Sequence, residues 1–235
     1  MSAAPPEALL FDVFGTVVDW RGSITAALAR YVDGPAPAGG WGSLADRWRR
    51  EGYLAPIAAM ASGSEPRRPI GEVLRAHLVR LLDECRLQVG DDALDDLVAA
   101  WDHLAPWPDA LDGLARLRRV AVLGTISNGS FGGLVRMARF AGLPWDCVIS
   151  AELFASYKPD PAVYLGAAAL LGLPPGQVAL VAAHPNDLAA ARACGLRTAF
   201  VSRPLEWGPG GPAERDADAD WVADDFGRLA DLLGA

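Results

Sequence analysis

The chain has 235 residues, of which 51% are hydrophobic and 21% are charged, and its formal net charge is −8 at pH 7. This composition is typical of a globular protein with a sizeable core, and the length suits one core domain with an insertion, or two small domains. The negative charge argues against nucleic acid or an anionic membrane as a partner. No apolar run reaches the roughly 18 to 20 residues that a bilayer-spanning helix needs.

Cysteine and lysine usage is sparse. Cys85, Cys147 and Cys194 are widely spaced and form no C-x-x-C pair, which predicts free thiols and a cytoplasmic location. Lys158 is the only lysine among 21 basic residues. It is either a chance residue in a surface turn or a compact ammonium that a broad guanidinium cannot replace.

The first predicted element is an apolar strand over residues 9–11, which ends at the carboxylate of Asp12 and turns at Gly15. Residues 20–105 then contain no convincing strand. Their apolar spacing predicts an all-helical block, interrupted by a Pro/Gly-rich connection over 33–42. The predicted helices cover 23–31, 43–61, 70–86 and 92–104.

Strands and helices alternate in the rest of the chain. The predicted strands cover 120–126, 147–149, 178–181, 198–201 and 221–222, and the predicted helices cover 132–141, 161–171, 187–194 and 226–233. This alternation predicts an α/β fold with a doubly wound parallel sheet. Because the first strand precedes the helical block, the block is predicted to be an insertion. We expect residues 1–19 and 106–235 to form the core domain and 20–105 to form a helical cap over the carboxyl ends of the strands.

Polar side chains follow four of the predicted strands. They are Asp12 with Thr16, Ser127 with Asn128, Lys158 with Tyr164, and His184 with Asp187. Because parallel strands place their carboxyl ends at one edge, these loops are expected to converge where α/β folds bind ligands. Phe14, two residues after Asp12, neither donates a proton nor binds a metal. Asp12 is therefore predicted to be a nucleophilic carboxylate without an acid partner on its own loop.

The four loops in this order resemble the haloacid dehalogenase superfamily, over nearly the whole chain. Four segments resemble its L-2-haloacid dehalogenase branch: Phe11–Arg21, Ile126–Ser130, Tyr157–Pro161 and Arg203–Pro209. The phosphatases of the superfamily carry two further aspartates, in the positions of Phe14 and Ala183 here. A phosphatase uses these carboxylates for Mg²⁺ and for protonating the leaving oxygen, whereas a halide leaves without a proton.

The resemblance implies a metal-independent hydrolase, without a cofactor, that acts on a small 2-haloalkanoic acid. Asp12 would displace the halide and form an aspartyl ester, which water would then hydrolyse. Lys158 would keep Asp12 ionised, and Asp187 would fix Lys158 and the hydrolytic water. Thr16 and Ser127 would orient Asp12 or bind the substrate carboxylate.

The other implied site residues would contact substrate. Asn128 would donate its amide to halide or carboxylate, Tyr164 would lend a hydroxyl, and His184 would orient water or act as a base. Phe14 and Trp20 complete the substrate-binding candidates. Each residue also has a structural interpretation: turn caps for Thr16 and Ser127, a helix cap for Asp187, a surface ion pair for Lys158, packing for Tyr164, and a loop histidine bonded to backbone for His184.

One departure concerns the leaving group. Members of the branch carry an arginine in the early cap that meets the halide, and the best match to that position falls on Ala59 to Ala61, which contain no arginine. Arg49, Arg50, Arg67 and Arg68 are the alternatives, and the sequence does not choose among them. Two other functions therefore stay open: a Mg²⁺-dependent phosphatase on the same scaffold, and a relative that binds a small acid but turns it over poorly. A homodimer is a further expectation from the resemblance.

Overall fold

The computed structural model describes residues 5–212 and 214–235, so the first four residues of the predicted core segment lie outside it. The chain divides into two compact units. One unit, called the α/β unit below, contains the described residues up to Asp19 and those from Pro106 onward. The other, called the helical unit, contains Trp20–Ala105.

The elements follow one another along the chain in three groups. Two strands come first, β1 (Ala8–Phe11) and β2 (Val18–Asp19). The helices of the helical unit are α1 (Trp20–Tyr31), α2 (Gly40–Arg49), α3 (Ala55–Ala61), α4 (Ile70–Glu84) and α5 (Asp91–Ala99). The remaining elements are β3 (Ala105–Pro106), α6 (Ala110–Leu117), β4 (Val122–Thr125), α7 (Phe131–Ala141), α8 (Pro161–Leu170), β5 (Val178–Ala182), α9 (Pro185–Ala193), β6 (Arg197–Val201), β7 (Trp221–Ala223) and α10 (Phe226–Leu233).

The main sheet has five strands in the order β4-β1-β5-β6-β7, and every neighbouring pair is parallel. This confirms the predicted α/β fold with a parallel sheet. The interior strand β1 is completely buried, as expected of a strand covered on both faces. Phe11 is in register with Thr125 of β4 and with Val181 of β5. The loops that follow these three strands therefore start side by side.

The strand predicted over 147–149 is wrong. The segment makes isolated bridges instead of a continuous ladder, at Gly124 with Cys147 and at Ser127 with Ser150. At Ile149, a side chain takes the place of ladder hydrogen bonds. The Thr125 hydroxyl donates to the Ile149 carbonyl at 3.0 Å and accepts from the Ile149 amide at 2.9 Å. The segment thus lies beside β4 without forming a regular strand with it.

The helix predicted over 43–61 is interrupted. A π-helical turn, Arg50–Leu54, separates α2 from α3. Pro56 lies in the first turn of α3 and cannot donate the amide hydrogen bond that a continuous α-helix requires, which accounts for a local change of pitch. The end of the predicted helix over 92–104 is also different, because a 3₁₀ turn follows α5 at Ala100–Asp102.

Helix α6 was not predicted. Its buried residues Ala110, Leu114 and Leu117 repeat with helical spacing, so the signal was present in the sequence. The three cysteines are free. Within the described ranges, no helix combines the length and apolar character needed to cross a membrane.

A tight contact between α6 and α10 gives a test of the packing. A Cβ built on Gly113 would lie 2.3 Å from the Phe226 Cβ and 3.0 Å from its carbonyl carbon. We expect Gly113→Ala to destabilise the protein by about 1–3 kcal/mol, because a backbone must move to admit the methyl group. The free energy of unfolding from urea titration measures this.

Gly176→Ala is the matched control, since nothing lies within 4 Å of a Cβ built there. It should leave stability unchanged or raise it by less than about 1 kcal/mol. Equal stabilities for the two variants would contradict the assigned packing of α6 on α10.

Candidate active site

Asp12 follows β1 directly, and its carboxylate is buried, with 7% of the residue exposed. One oxygen, Oδ2, accepts hydrogen bonds from the Thr16 hydroxyl at 2.8 Å and from His184 Nδ1 at 3.0 Å. The other, Oδ1, accepts from Lys158 Nζ at 2.9 Å. Burial by itself raises the pKa of Asp12, but the Lys158 charge and the His184 hydrogen bond outweigh it and hold the pKa well below its usual range. Asp12 is therefore an ionised carboxylate at neutral pH.

Lys158 joins two carboxylates. Besides Asp12, its Nζ donates to Asp187 Oδ2 at 2.5 Å, and the Tyr164 hydroxyl donates to Asp187 Oδ1 at 2.5 Å. Burial opposes the charged form of Lys158, but Asp12 and Asp187 keep its pKa above the usual value. Burial, followed by the charge of Asp187, raises the pKa of Tyr164, so this hydroxyl remains a donor. Residues that lie far apart in the chain thus form one ion-pair cluster.

Thr16 connects two of the loops. Its hydroxyl is completely buried, accepts the Ala183 amide at 3.0 Å and donates to Asp12. The position requires a side chain that accepts and donates at once, which explains a hydroxyl here.

His184 bridges Asp12 to a carboxylate that the sequence analysis did not single out, Glu206. The Nε2 atom of His184 lies 3.0 Å from Glu206 Oε2 and 3.2 Å from Oε1. Burial lowers the pKa of His184, but its hydrogen bonds to the two carboxylates prevail and raise the pKa to about 10. The only sequence signal for Glu206 was its place in the family-like segment Arg203–Pro209, which identifies no partner.

The loop after β4 supports Lys158 and Phe14. The Asn128 side chain accepts from the Lys158 amide at 2.7 Å and donates to the Lys158 carbonyl at 3.2 Å. Ser127 Oγ accepts from the Gly129 amide at 3.2 Å, which is the turn-forming role considered for it. The Phe14 ring lies against Gly129, where an added Cβ would be 2.8 Å from Cε2. The substrate roles predicted for these three side chains stay predictions.

Trp20 and the four candidate arginines belong to the helical unit. Trp20 is completely buried and stacks on Trp101 with ring centroids 6.3 Å apart, so it is a core residue of its own unit, and its substrate role stays a prediction. Arg49 is 5% exposed. Its guanidinium carbon lies 4.3 Å from the Tyr53 ring centroid and 5.4 Å from that of Trp20.

No group of three or more His, Cys, Asp or Glu side chains converges on a common metal position within the described residues. The carboxylates of the cluster are instead paired with Lys158 and His184. The arrangement can hold an ionised carboxylate ready for attack, with a cation to offset charge on its oxygens.

Removing Lys158 gives a pH-dependent test of the cluster. In Lys158→Met, two buried carboxylates lose their shared cation, and we expect a loss of about 3–5 kcal/mol at pH 7. The folded-state pKa of Asp12 lies below its unfolded value only while its cations are present. Without Lys158 the pKa of Asp12 rises, so lowering the pH from 7 to 5 protonates Asp12 and stabilises the variant while the wild type changes little. Urea titrations at both pH values should show the difference between the proteins shrinking at pH 5.

Arg118→Met is the control, since it breaks the exposed ion pair with Asp146. Such pairs contribute at most about 1 kcal/mol. A Lys158→Met loss as small as this, or one that is the same at both pH values, would contradict the buried pairing.

Comparison with known proteins places this geometry in a family. The model of the haloacid dehalogenase-like hydrolases matches residues 6–195. The (S)-2-haloacid dehalogenase H-109 of Pseudomonas putida is 28% identical over 210 residues, which cover 85% of this chain and 87% of that protein. The plasmid-encoded phosphoglycolate phosphatase of Cupriavidus necator is 30% identical over 241 residues, which cover 97% and 94%.

Solved structures agree over nearly the full length. The L-2-haloacid dehalogenase PA0810 is 42% identical with a TM-score of 0.90, and covers 99% of both chains. The defluorinating L-2-haloacid dehalogenase Rha0230 is 39% identical with a TM-score of 0.89, over 98% of this chain and 96% of that one. The L-2-haloacid dehalogenase of Xanthobacter autotrophicus with chloropropionic acid covalently bound is 25% identical, with a TM-score of 0.79, over 98% and 99%. The family model, the relatives and the shared fold together lead to one assignment: this chain belongs to the haloacid dehalogenase-like hydrolase family.

Proposed function

We propose that the protein hydrolyses the carbon–halogen bond of short 2-haloalkanoic acids and yields the 2-hydroxy acid through an ester of Asp12. The observation that carries this proposal is the buried, ionised Asp12 held by Lys158 at 2.9 Å, with Phe14 where the phosphatases of the superfamily carry an acid. The similarity to L-2-haloacid dehalogenases supports it.

In the first step, an Asp12 oxygen attacks C2 of the substrate from the side opposite the halogen. The new C–O bond forms as the halide leaves with the electron pair of the broken bond, so the configuration at C2 inverts. Halide is a weak base and leaves without a proton, and an apolar Phe14 is therefore no obstacle to this reaction.

In the second step, water attacks the carbonyl carbon of the Asp12 ester. Negative charge develops on the carbonyl oxygen, and a fixed cation nearby stabilises it. Lys158 would supply this cation, and the hydrogen bonds by which Asp187 and Asn128 hold its ammonium and its backbone support that role. Collapse of the intermediate releases the 2-hydroxy acid and restores Asp12.

Metal independence is part of the proposal. A Mg²⁺ site needs several oxygen ligands in near-octahedral geometry, and Phe14 and Ala183 offer no side-chain oxygen in the positions of the two additional phosphatase aspartates. The relation to the Cupriavidus necator phosphatase keeps a Mg²⁺-dependent phosphatase as the second candidate.

Halide release separates the two candidates. We expect the protein to release chloride from L-2-chloropropionate in EDTA-containing buffer, with one 2-hydroxy acid formed per halide. Asp12→Asn should abolish release while circular dichroism shows an intact fold, because the amide is a poor nucleophile. Ion chromatography and chiral analysis of the product measure both outcomes.

Halide release is also measured with D-2-chloropropionate, chloroacetate and fluoroacetate. Phosphate release from phosphate esters, with and without Mg²⁺, tests the alternative that the protein is a phosphatase. Full activity in Asp12→Asn would rule out Asp12 as the nucleophile. Phosphate release that needs Mg²⁺, with no halide release from any haloacid, would favour the phosphatase.

The anionic substrate needs a further cation. The hydrogen-bonded cluster of the α/β unit contains three carboxylates, whereas Lys158 and protonated His184 supply only two positive charges. We propose that Arg49 is the cap arginine that the resemblance implies. It is the buried member of the four candidates, whereas Arg50, Arg67 and Arg68 are exposed, and rings in its unit hold its guanidinium.

Arg49→Gln should lower the rate of halide release by about 100-fold or more, the usual cost of removing one group that stabilises developing charge. Arg50→Gln removes the same charge from the next, exposed position and should leave the rate within a few-fold of the wild type. Equal rates for the two variants would reject Arg49 as this cation.

We also propose a cytoplasmic location, which the three free thiols support. The homodimer expected from the resemblance stays a prediction, and sedimentation equilibrium would test it.

A further inference from the structure

The second step needs a base, because the attacking water must lose a proton. Three groups of the cluster are poor candidates. Lys158 and Tyr164 retain their protons, since their pKa values lie above the usual ones. Asp187 already accepts a hydrogen bond on each oxygen, from Lys158 and from Tyr164, both at 2.5 Å. Both oxygens of Asp187 are therefore already occupied as acceptors.

His184 is differently placed. Its Nδ1 lies 3.0 Å from Asp12 Oδ2, and its side chain is 25% exposed, so both water and protons can reach the ring. The far nitrogen, Nε2, faces Glu206 at 3.0 Å. A carboxylate on one ring nitrogen fixes the tautomer and raises the basicity of the other nitrogen.

The Glu206 carboxylate is buried against the turn at Gly15, which follows Asp12. Only 6% of the residue is exposed. A Cβ built on Gly15 would lie 2.2 Å from Glu206 Oε1, and Gly15 also has a positive φ of 86°. Glycine is therefore required at this turn twice, for its backbone conformation and for the space that the Glu206 carboxylate occupies.

Arg203 fastens the segment that carries Glu206. Its Nε donates to the Thr16 carbonyl at 2.8 Å, and its two terminal nitrogens pair with Asp109 at 2.7 and 2.9 Å. The Glu206 amide then donates to the Arg203 carbonyl at 3.0 Å in a turn. The position of Glu206 relative to Asp12 is thus fixed by contacts on both sides of the loop.

We propose that His184 is the general base of ester hydrolysis and that Glu206 is its positioning residue. The inference rests on the proposed function, since it concerns the second step of that reaction. His184 and Glu206 lie too far apart in the sequence for their pairing to be predicted from it.

The charge state of His184 changes during the cycle in the direction that this role needs. In the free enzyme two carboxylates flank the ring and keep it protonated, with a pKa of about 10. Ester formation removes the negative charge of Asp12, which is one of those two partners, so the pKa of His184 falls and the ring loses its proton to solvent. Glu206 then accepts the Nε2 hydrogen, and the lone pair of Nδ1 faces the ester. Lys158, Asp187 and the Thr16 hydroxyl also face the Asp12 carboxyl, and none of them directly contacts the His184 ring in the described hydrogen bonds.

Every proton that moves during hydrolysis of the Asp12 ester has a donor and an acceptor. Nδ1 takes a proton from water as the hydroxide portion bonds to the Asp12 carbonyl carbon. The tetrahedral intermediate breaks its bond to the hydroxy acid oxygen, which takes the proton from Nδ1. The Asp12 carboxylic acid that remains gives its proton to His184, and this restores the resting state. One proton and one halide leave for each substrate hydrolysed.

A single-turnover experiment tests the proposal. His184→Gln and Glu206→Gln are mixed with L-2-chloropropionate, quenched with acid, and analysed for chloride and by intact-protein mass spectrometry. In His184→Gln we expect one equivalent of chloride per protein, a covalent adduct on Asp12, and ester hydrolysis slowed by about 10²–10⁴-fold, the usual contribution of a general base. Glu206→Gln should slow hydrolysis less and retain the burst.

The pH profile separates positioning from a merely structural role. In the wild type, hydrolysis of the adduct should rise with pH through the pKa that His184 has in the ester form. In Glu206→Gln this midpoint should move to lower pH, because the ring has lost an anionic partner, and in His184→Gln the dependence should vanish. Glu7→Gln removes an exposed carboxylate of the same unit and should change neither the rate nor the profile.

The experiment distinguishes an error in the roles of His184 and Glu206 from an error in the proposed function. If both variants release the first equivalent of chloride and then turn over at the wild-type rate without an adduct, the base is another group and the dehalogenase function stands. Loss of the chloride burst in His184→Gln would place His184 in the first step and overturn the inference. If the wild type releases no chloride from any haloacid, the proposed function itself is wrong.

Discussion

The buried pairing of Lys158 with Asp12 and Asp187 is the interaction on which the rest of the site depends. Placing three charges where little water reaches them costs several kcal/mol per ion unless each finds a partner. Here the single ammonium serves both carboxylates, and Tyr164 and Thr16 satisfy further oxygens. The segments that follow β1 and β5 and the loop that precedes α8 must therefore close on one another before the cluster is stable. The nucleophile is oriented by the fold itself.

The surroundings of Asp12 favour a leaving group that needs no proton. Phe14 fills the space over Gly129 with an apolar ring instead of a second carboxylate. An apolar wall lowers the local dielectric constant, so the attraction between Lys158 and a developing negative charge is stronger than it would be in water. The same scaffold that brings together carboxylates for a metal in phosphatases here places one carboxylate beside one ammonium.

Two acidic residues, Asp187 and Glu206, act on Asp12 through a basic partner, and that partner decides what each of them does. Asp187 holds an ammonium that must stay charged, because Asp12 has to be ionised for attack. Glu206 holds an imidazole whose charge responds to Asp12, because only one of its two anionic partners survives ester formation. Lys158 thus stays charged throughout the reaction, whereas His184 is charged only while Asp12 is ionised. This pair of cations suits a reaction in which the Asp12 carboxyl group is first a nucleophile and then an electrophile.

The sequence by itself determined the alternation of strands and helices and the order of the polar loops. It also gave the helical insertion as an expectation. These follow from local patterns, since burial repeats with the period of each element and parallel strands end at one edge. The interruption of the 43–61 helix has a visible cause in Pro56. The absent strand at 147–149 does not, because a threonine hydroxyl that replaces ladder hydrogen bonds leaves no trace in the hydrophobic pattern. Only the tertiary structure brought Glu206 to His184, over 22 residues of chain, and gave Asn128 to the Lys158 backbone. Periodicity reports which face is buried, whereas the meeting of side chains across loops depends on how the loops fold together.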